Sequence, residues 1–468
     1  QLWWGHRIPA YYLPNGEVVV AETTEEALVQ AQAIDASLTL ADLKQDEDVL
    51  DTWFSSWLWP MSVFDGINNP DNEEFKYFYP TNDLVTGFDI IFFWVARMVM
   101  AGYEFPKELP FKNVYITGMV RDEKRRKMSK SLGNSPDPLD LIAEYSADGV
   151  RAGMLFSAPA GNDLLFNEKL CLQGRNFTNK IWNAFRLVNG WEVVDKPSND
   201  QLAVSIMRNK INQALVDLEG SFEQYRMSDG VMTLYKLIWD DFCSVYLEQI
   251  KPGFEEPISK ETYESTVSIF EDLMKMLHPF MPFITEEIYS NLAERGENDY
   301  IIVAEYPKAE VVDAVLTEKA NFFEEVVTGI RNLRVSNKIP GKEQIDVSVK
   351  AKDESEYADF ESIIKKTALV KSISFVNEQP EQVASFVAKA DEVYVPIPEV
   401  QNVEEKREEL QKELKRAQGL LISVQKKLSN ERFVANAPDA VIDKEKKKQA
   451  DSEAKIAAIE ESLVALTK

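Results

Sequence analysis

The sequence predicts a multidomain chain, α/β plus all-α, and three observations carry that prediction. At 468 residues the chain is too long for one core and divides into about three or four domains of ordinary size. Strand-like runs punctuate its first part, and from Asp137 the pattern turns helical. After Pro398 the composition shifts again, to a heptad seam.

Bulk properties narrow the function classes. A formal net charge of -26 argues against indiscriminate nucleic-acid binding, so any RNA contact must come from local patches. Cys171 and Cys243 stand far apart without a paired spacing and support neither a disulfide framework nor a zinc site, which fits a reducing cytoplasmic setting. No apolar run approaches the ~20 residues of a membrane span, and no signal peptide is expected. A soluble chain, away from membranes and without a protein-bound metal, is the expectation. The opening Leu2-Trp3-Trp4-Gly5-His6-Arg7-Ile8-Pro9 is dense in core and turn residues and reads as the middle of a domain.

Taken in order, Gln1 to Ala21 predicts two short strands around Pro14-Asn15-Gly16, with Val18-Val19-Val20 in the second. Thr23 followed by Glu26 has the form of a capping box and starts a helix over 24–33. His6, beside tryptophans, reads as a packed and hydrogen-bonded histidine. Asp48 to Trp59 alternates aromatic and small polar residues, a pattern of core or of a pocket mouth. Ile90 to Met100 is helix-like.

Val114 to Val120 reads as a buried strand interrupted by Gly118 near its end, and the loop that leaves it holds six cations: Arg121, Lys124, Arg125, Arg126, Lys127 and Lys130. Such mutual repulsion in an acidic protein needs a compensating anion, and ligands of open α/β sheets sit at that end of the strands. Lys127-Met128-Ser129-Lys130-Ser131 places two lysines to bracket a phosphate chain, with small residues that let the backbone move. The plainer reading is a solvated basic loop.

Beyond it, apolar residues recur at helical spacing in Leu215, Leu218, Phe222 and Tyr225, and again in Leu234, Ile238, Phe242 and Tyr246, as in a helix bundle reaching about residue 300. Trp182, Trp239 and His278 to Phe283 read as core rather than base-stacking platforms. A linking helix over 322–335 carries Arg331 and Arg334 on one face. Strands at 345–349, 373–376 and 393–397 with a helix at 354–366 make a small α/β module. Leu410, Leu414, Ala417, Leu421, Val424 and Leu428 form the seam, repeated by Ile456, Ile459, Leu463 and Leu466 after a break at Phe433 to Pro438, so two antiparallel helices are expected. Between Lys412 and Lys448 ten lysines and arginines face five acids.

Lys127 to Ser131 resembles the second signature of class I aminoacyl-tRNA synthetases. The flanks Asp48 to Ser56, Thr86 to Trp94 and Gly118 to Asp122 resemble the valyl-tRNA synthetase family in particular, and the resemblance runs over essentially the whole chain. It implies the second half of a Rossmann-like catalytic domain (1-135), a connecting helical segment (136-170), a helix-bundle anticodon-binding domain (171-335), a small α/β module (336-400) and a C-terminal antiparallel coiled-coil hairpin (401-468). Gly161 to Phe166 is similar to the link into the anticodon domain.

The resemblance makes Lys127 and Lys130 the catalytic cations, within an ATP site of Lys127, Met128, Ser129, Lys130 and Ser131. It assigns Trp53, Asp89 and Ile90 to the amino-acid pocket, and Lys426, Lys427, Arg432, Lys444, Lys446, Lys447 and Lys448 to the tRNA contact. Implied partners are ATP with Mg²⁺, valine and tRNA(Val), for a monomeric enzyme. An apolar pocket rejects an isostere only weakly, as the valyl enzymes' handling of threonine illustrates, so an editing domain is expected in the full enzyme.

The family's first signature, His-Ile-Gly-His, has no match, because the chain holds only His6 and His278. By itself the chain is therefore expected to form no adenylate; valine-dependent pyrophosphate exchange above background would refute this. Two alternatives compete: an isoleucyl- or leucyl-type fragment, disfavoured by Asp51 to Ser56 and the C-terminal hairpin, and a non-catalytic tRNA-binding module.

Overall fold

The computed structural model describes residues 5–158, 161–253, 255–397, 403–430 and 439–465. They form two compact units, one of Gln1–Asp140, Met154–Leu170 and Gln224–Ser228, the other of Leu141–Gly153, Cys171–Glu223 and Asp229–Lys468.

In the first unit, β1 (Ala10–Tyr12) pairs antiparallel with β2 (Val18–Val20). Next comes α1 (Thr24–Ile34), capped by the Thr23 hydroxyl, which accepts from Glu26 N at 3.2 Å. A strand too short to read from sequence, β3 (Lys44–Gln45), completes this sheet on the free edge of β1. Tyr11, Leu13, Val19, Ala27 and Ala31 close its core. The His6 side chain is exposed rather than packed, since only its backbone joins the sheet, accepting from Leu50 N.

Short helices follow: α2 (Thr52–Ser56), started by Asp51, whose carboxylate accepts from Trp53 N at 3.1 Å, then α3 (Trp59–Ser62) and α4 (Glu73–Phe78). A crossover then runs from β4 (Thr81–Gly87) through a tight turn at Phe88–Ile90, a wide π-type turn at Ile91–Val95 and α5 (Ala96–Glu104) into β5 (Phe111–Thr117). The two strands pair parallel from Thr81↔Phe111 to Gly87↔Thr117. Val95, Met98 and Phe111 pack beneath them with Leu84.

The second of these strands, β5, departs from the expectation for Val114 to Val120. The strand begins at Phe111, three residues before Val114, and it is not buried: Val114 is 38% and Ile116 42% exposed, and Val85 on its partner 58%. This sheet has only two strands, and parallel strands are buried on both faces only where helices pack over each side.

The strand breaks at Gly118, where any Cβ would stand 1.9 Å from the Asn162 carbonyl oxygen. That close approach lets β6 (Val120–Arg121) pair parallel with β7 (Leu164–Leu165), a two-residue strand within 161–166, beside the basic loop. Between them in sequence lie α6 (Pro138–Tyr145) and α7 (Ala147–Phe156). Tyr225 is a second correction. Its φ of 55° takes it out of the helical run, and in the first unit its hydroxyl donates to Asp83 at 2.5 Å while its ring stacks on Tyr115.

The second unit is mainly helical, with α8 (Glu168–Asn189), α9 (Gln201–Glu223), α10 (Met227–Lys236), a π-type stretch at Leu237–Tyr246 and α11 (Leu247–Ile250). Further on are α12 (Lys260–Leu277), α13 (Pro282–Leu292) and α14 (Ala314–Ser336), and a short parallel pair joins β8 (Val193–Val194) to β9 (Ile258–Ser259). Leu234, Ile238, Phe242 and Tyr246 are buried, as their spacing predicted, with Phe177, Phe270 and Met274. Trp239 joins an aromatic cluster with Phe177 and Tyr235, while Phe283 departs from the core reading at 64% exposed.

A four-stranded sheet follows in the order β11-β10-β13-β12, where β10 is Ile345–Lys350, β11 Val370–Phe375, β12 Val383–Ala388 and β13 Asp391–Pro396. The strand β12 has no counterpart among the strands expected from sequence. The helices α15 (Ser355–Ala358) and α16 (Glu361–Ala368) replace the single helix expected there. Phe322, Phe323 and Ile330 of α14 pack on Tyr357, Phe360, Val347 and Val393. Arg334 is buried and donates to the carbonyls of Pro340, Glu343 and Leu369, a structural use of that face.

Finally α17 (Val403–Leu428) and α18 (Asp439–Ala465) lie against each other, with Ala417, Val424 and Ile459 buried. Leu466 and the break at Phe433 to Pro438 lie outside the described residues. Among the described residues no helix is long and apolar enough to cross a membrane.

Candidate functional site

The basic loop is a hairpin. Arg121 bridges Lys127, and Met128 N donates to Val120 O at 3.2 Å, so Lys127 and Met128 return beside β6. The tip from Asp122 to Arg126 turns on Arg125, whose φ is 62°. Ser129 then caps a single tight turn, Lys130–Leu132, its hydroxyl accepting from Leu132 N at 3.3 Å, and Gly133 ends it with φ 62°. Gly133 suits that left-handed position because it carries no Cβ.

The repulsion among the six cations is met by three carboxylates. Arg121 pairs with Asp163, Arg126 with Asp122 at 2.7 Å, and Lys127 with Asp89 at 3.5 Å. Lys124, Arg125 and Lys130 form no ion pair among the described residues. The Asn134 amide first, and Arg126 after it, holds the Asp122 carboxyl well below the usual carboxylate range. Arg121 lowers the pKa of the Asp163 carboxyl, helped by Met119 N.

The structure thus brings Lys127 to Asp89. Asp89 and Ile90 occupy the tight turn at the carboxyl end of β4, and Ile90 is 39% exposed. Gly87 makes room for this turn, since a Cβ there would lie 2.8 Å from the Asp89 carboxylate. Trp53 is half-buried and meets the same helical run further along, where Arg97 of α5 sits over its ring at 4.2 Å. Met128 and Ser129 are half-buried, and Lys130 and Ser131 are exposed.

Four residues here were not singled out from sequence: Asp122, Asn134, Asp163 and Arg97. The first two carried a signal, as Asx residues beside turn-forming positions bond to nearby backbone. The other two are distant in sequence from what they touch.

Three family descriptions match the chain in succession: tRNA synthetases class I (I, L, M and V) over residues 1–167, the anticodon-binding domain of tRNA ligase over 205–349, and the valyl tRNA synthetase tRNA binding arm over 402–467. The valine-tRNA ligase of Parabacteroides distasonis is 54% identical over 473 residues, covering 100% of this chain and 54% of its own length. This chain belongs to the valine-tRNA ligase family. The family's protein from Phocaeicola vulgatus is 52% identical at 100% and 54% coverage, and that from Fusobacterium nucleatum 40% identical at 99% and 54%. The chain spans about half the length of the curated relatives it matches.

A solved structure with the same fold is the LeuRS of Agrobacterium radiobacter in a ternary complex with tRNA and LeuAMS, 18% identical with a TM-score of 0.50 over 67% of this chain and 41% of that one. The valyl relatives separate this chain from the isoleucyl and leucyl alternatives.

Within the region matched by the arm description, Lys426, Lys446 and Lys447 are exposed. Lys427 and Lys448 both turn to the buried Glu445, at 3.6 Å and 2.6 Å. Arg432 and the Lys444 side chain lie outside the described residues.

Proposed function

We propose that this chain supplies the second ATP-binding signature and the tRNA-binding regions of an enzyme that activates valine with ATP and passes it to tRNA(Val). The observation that supports this reading is the Lys127–Asp89 pair, which puts a phosphate-gripping lysine beside a residue assigned to the amino-acid pocket. In the reaction the valine carboxylate attacks the α-phosphate in line, and charge develops on the departing pyrophosphate. Lys127 and Lys130 stabilise that charge, which is larger in the transition state than in the ground state. Met128, Ser129 and Ser131 shape the turn that carries them, and Mg²⁺ arrives with the nucleotide as part of the substrate. Trp53 and Ile90 give the pocket its apolar walls and Asp89 its polar end.

The remaining assignments follow from the same reading. Residues 1-135 act as the second catalytic half, 136-170 as the connector, 171-335 as the anticodon-binding bundle and 336-400 as the α/β module. Residues 401-468 form a coiled-coil hairpin whose lysines, Lys426, Lys427, Lys444 and Lys446 to Lys448, with Arg432, meet the tRNA backbone. A monomer in the cytoplasm completes the picture. A non-catalytic tRNA-binding module would keep the arm without needing the loop.

Calorimetric titration with ATP·Mg and filter binding of tRNA(Val) separate the two. Lys127→Ala with Lys130→Ala should weaken ATP binding by about tenfold or more, as loss of charge-assisted bonds to phosphate does, and leave tRNA affinity unchanged. Charge reversal at Lys446 to Lys448 should do the converse and flatten the salt dependence of tRNA binding. Equal ATP affinity in the loop variant overturns the enzyme reading in favour of the module.

A further inference from the structure

The stretch from Lys127 to Asn134 is a loop tied at both ends by one carboxamide. Asn134 Oδ1 accepts from Ser129 N at 2.9 Å, while its Nδ2 donates to Lys127 O at 3.3 Å and to Asp122 Oδ2 at 3.0 Å. Asp122 is itself anchored in the hairpin tip. Its Oδ1 accepts from Lys124 N at 3.0 Å and Arg126 N at 2.8 Å, and its Oδ2 from Arg126 Nε at 2.8 Å. Its side chain is only 14% exposed, in a stretch where its basic neighbours are largely in solvent.

This chemistry is specific to the pair. An aspartate at 134 could not donate to Lys127 O or to Asp122, and would set two carboxylates face to face. An alanine would leave the turn closed only by Ser129 and Gly133. Without the tie, repulsion among the six cations and chain entropy both favour an open turn.

We infer that Asn134, held by Asp122, is the positioning residue of the Lys127–Ser131 turn, fixing both lysines where the polyphosphate of ATP meets them. This rests on the nucleotide reading above. The gain is preorganisation: cations already in place lose little freedom when the anion arrives.

The test uses the full 468-residue chain, with Asn134→Ala, Asn134→Asp, and the exchange Asp122→Asn with Asn134→Asp. Three readouts are taken: tryptic cleavage rate between Lys124 and Lys130, ATP·Mg affinity by calorimetry, and melting temperature. Asn134→Ala should be cut about tenfold faster and bind ATP·Mg about five- to tenfold more weakly, the scale of one ordinary lost hydrogen bond, with melting unchanged. Asn134→Asp should be worse on both counts. The exchange restores a donor facing an acceptor between positions 122 and 134 but neither the bond to Lys127 O nor the charge facing Arg126, so it should recover only part of the Asn134→Asp loss.

Cleavage of Asn134→Ala at the parent rate overturns the tie. Faster cleavage with unchanged ATP affinity overturns the positioning role. If the unaltered chain binds no ATP·Mg, the nucleotide reading fails and takes the positioning role with it, while the cleavage rates still decide whether the tie holds the loop.

Discussion

Two sheets in this chain start from similar apolar strands and end differently. In the four-stranded sheet, Val347, Val349, Val393 and Val395 are almost fully buried beneath Phe323, Tyr357 and Phe360. In the two-stranded pair β4–β5, Val85, Val114 and Ile116 stay 38–58% exposed, and nearby Phe92 is 83% exposed. The strands of both are rich in β-branched residues, so propensity does not separate them. Cover does. One sheet finds helices within this chain to close its face, and the other leaves apolar residues open on both sides, Val114 and Ile116 on one and Val85 on the other.

The largest consequence is for stability. Phe360 stacks on Phe323 at 3.8 Å between centroids and is 2% exposed, so Phe360→Ala should cost about 3–5 kcal/mol in urea unfolding. Val85, at 58% exposed, should cost no more than about 0.5 kcal/mol when truncated to alanine. Comparable losses at the two positions would break the comparison, since they would mean that the β4–β5 face is covered in solution.

The same contrast marks what the sequence could tell. Thr23 as a helix cap and the burial of Ala417 and Val424 at their helical spacing were legible because each depends on neighbours within a few residues. The exposure of Val114 and Ile116 was not, because periodicity reports that a strand is apolar and not whether anything lies over it. Nor were β12, where Ala384, Ser385 and Ala388 interrupt Val383, Phe386 and Val387, or the left-handed Tyr225, which broke a helical spacing that otherwise continued. At the candidate site the lysines announced themselves by charge. Asp89 came from its motif, but its pairing with Lys127 across 38 residues is tertiary information.

Two glycines sharpen the comparison at smaller scale, one in each region. A Cβ at Gly329, on α14, would lie 2.1 Å from the Phe386 ring. A Cβ at Gly118 would lie 1.9 Å from the Asn162 carbonyl oxygen. Alone the distances suggest similar costs, but what stands in the way differs. A phenylalanine ring on β12 can swing by rotation about χ1, and Gly→Ala inside a helix returns some propensity, about 1 kcal/mol. A backbone carbonyl cannot swing without moving its strand. At Gly118 that strand is held by Leu164 N donating to Met119 O at 3.0 Å and Phe166 N to Arg121 O at 2.9 Å. Gly118→Ala should therefore cost about 1–3 kcal/mol as an overpacked site, and Gly329→Ala less. The loss at Gly118 should also reach the basic loop, because β6 is the strand on which the hairpin of Lys127 is built. Faster tryptic cleavage between Lys124 and Lys130 in Gly118→Ala, but not in Gly329→Ala, is the expected result. Equal cleavage in both would mean that the loop keeps its shape without the β6–β7 pair beneath it.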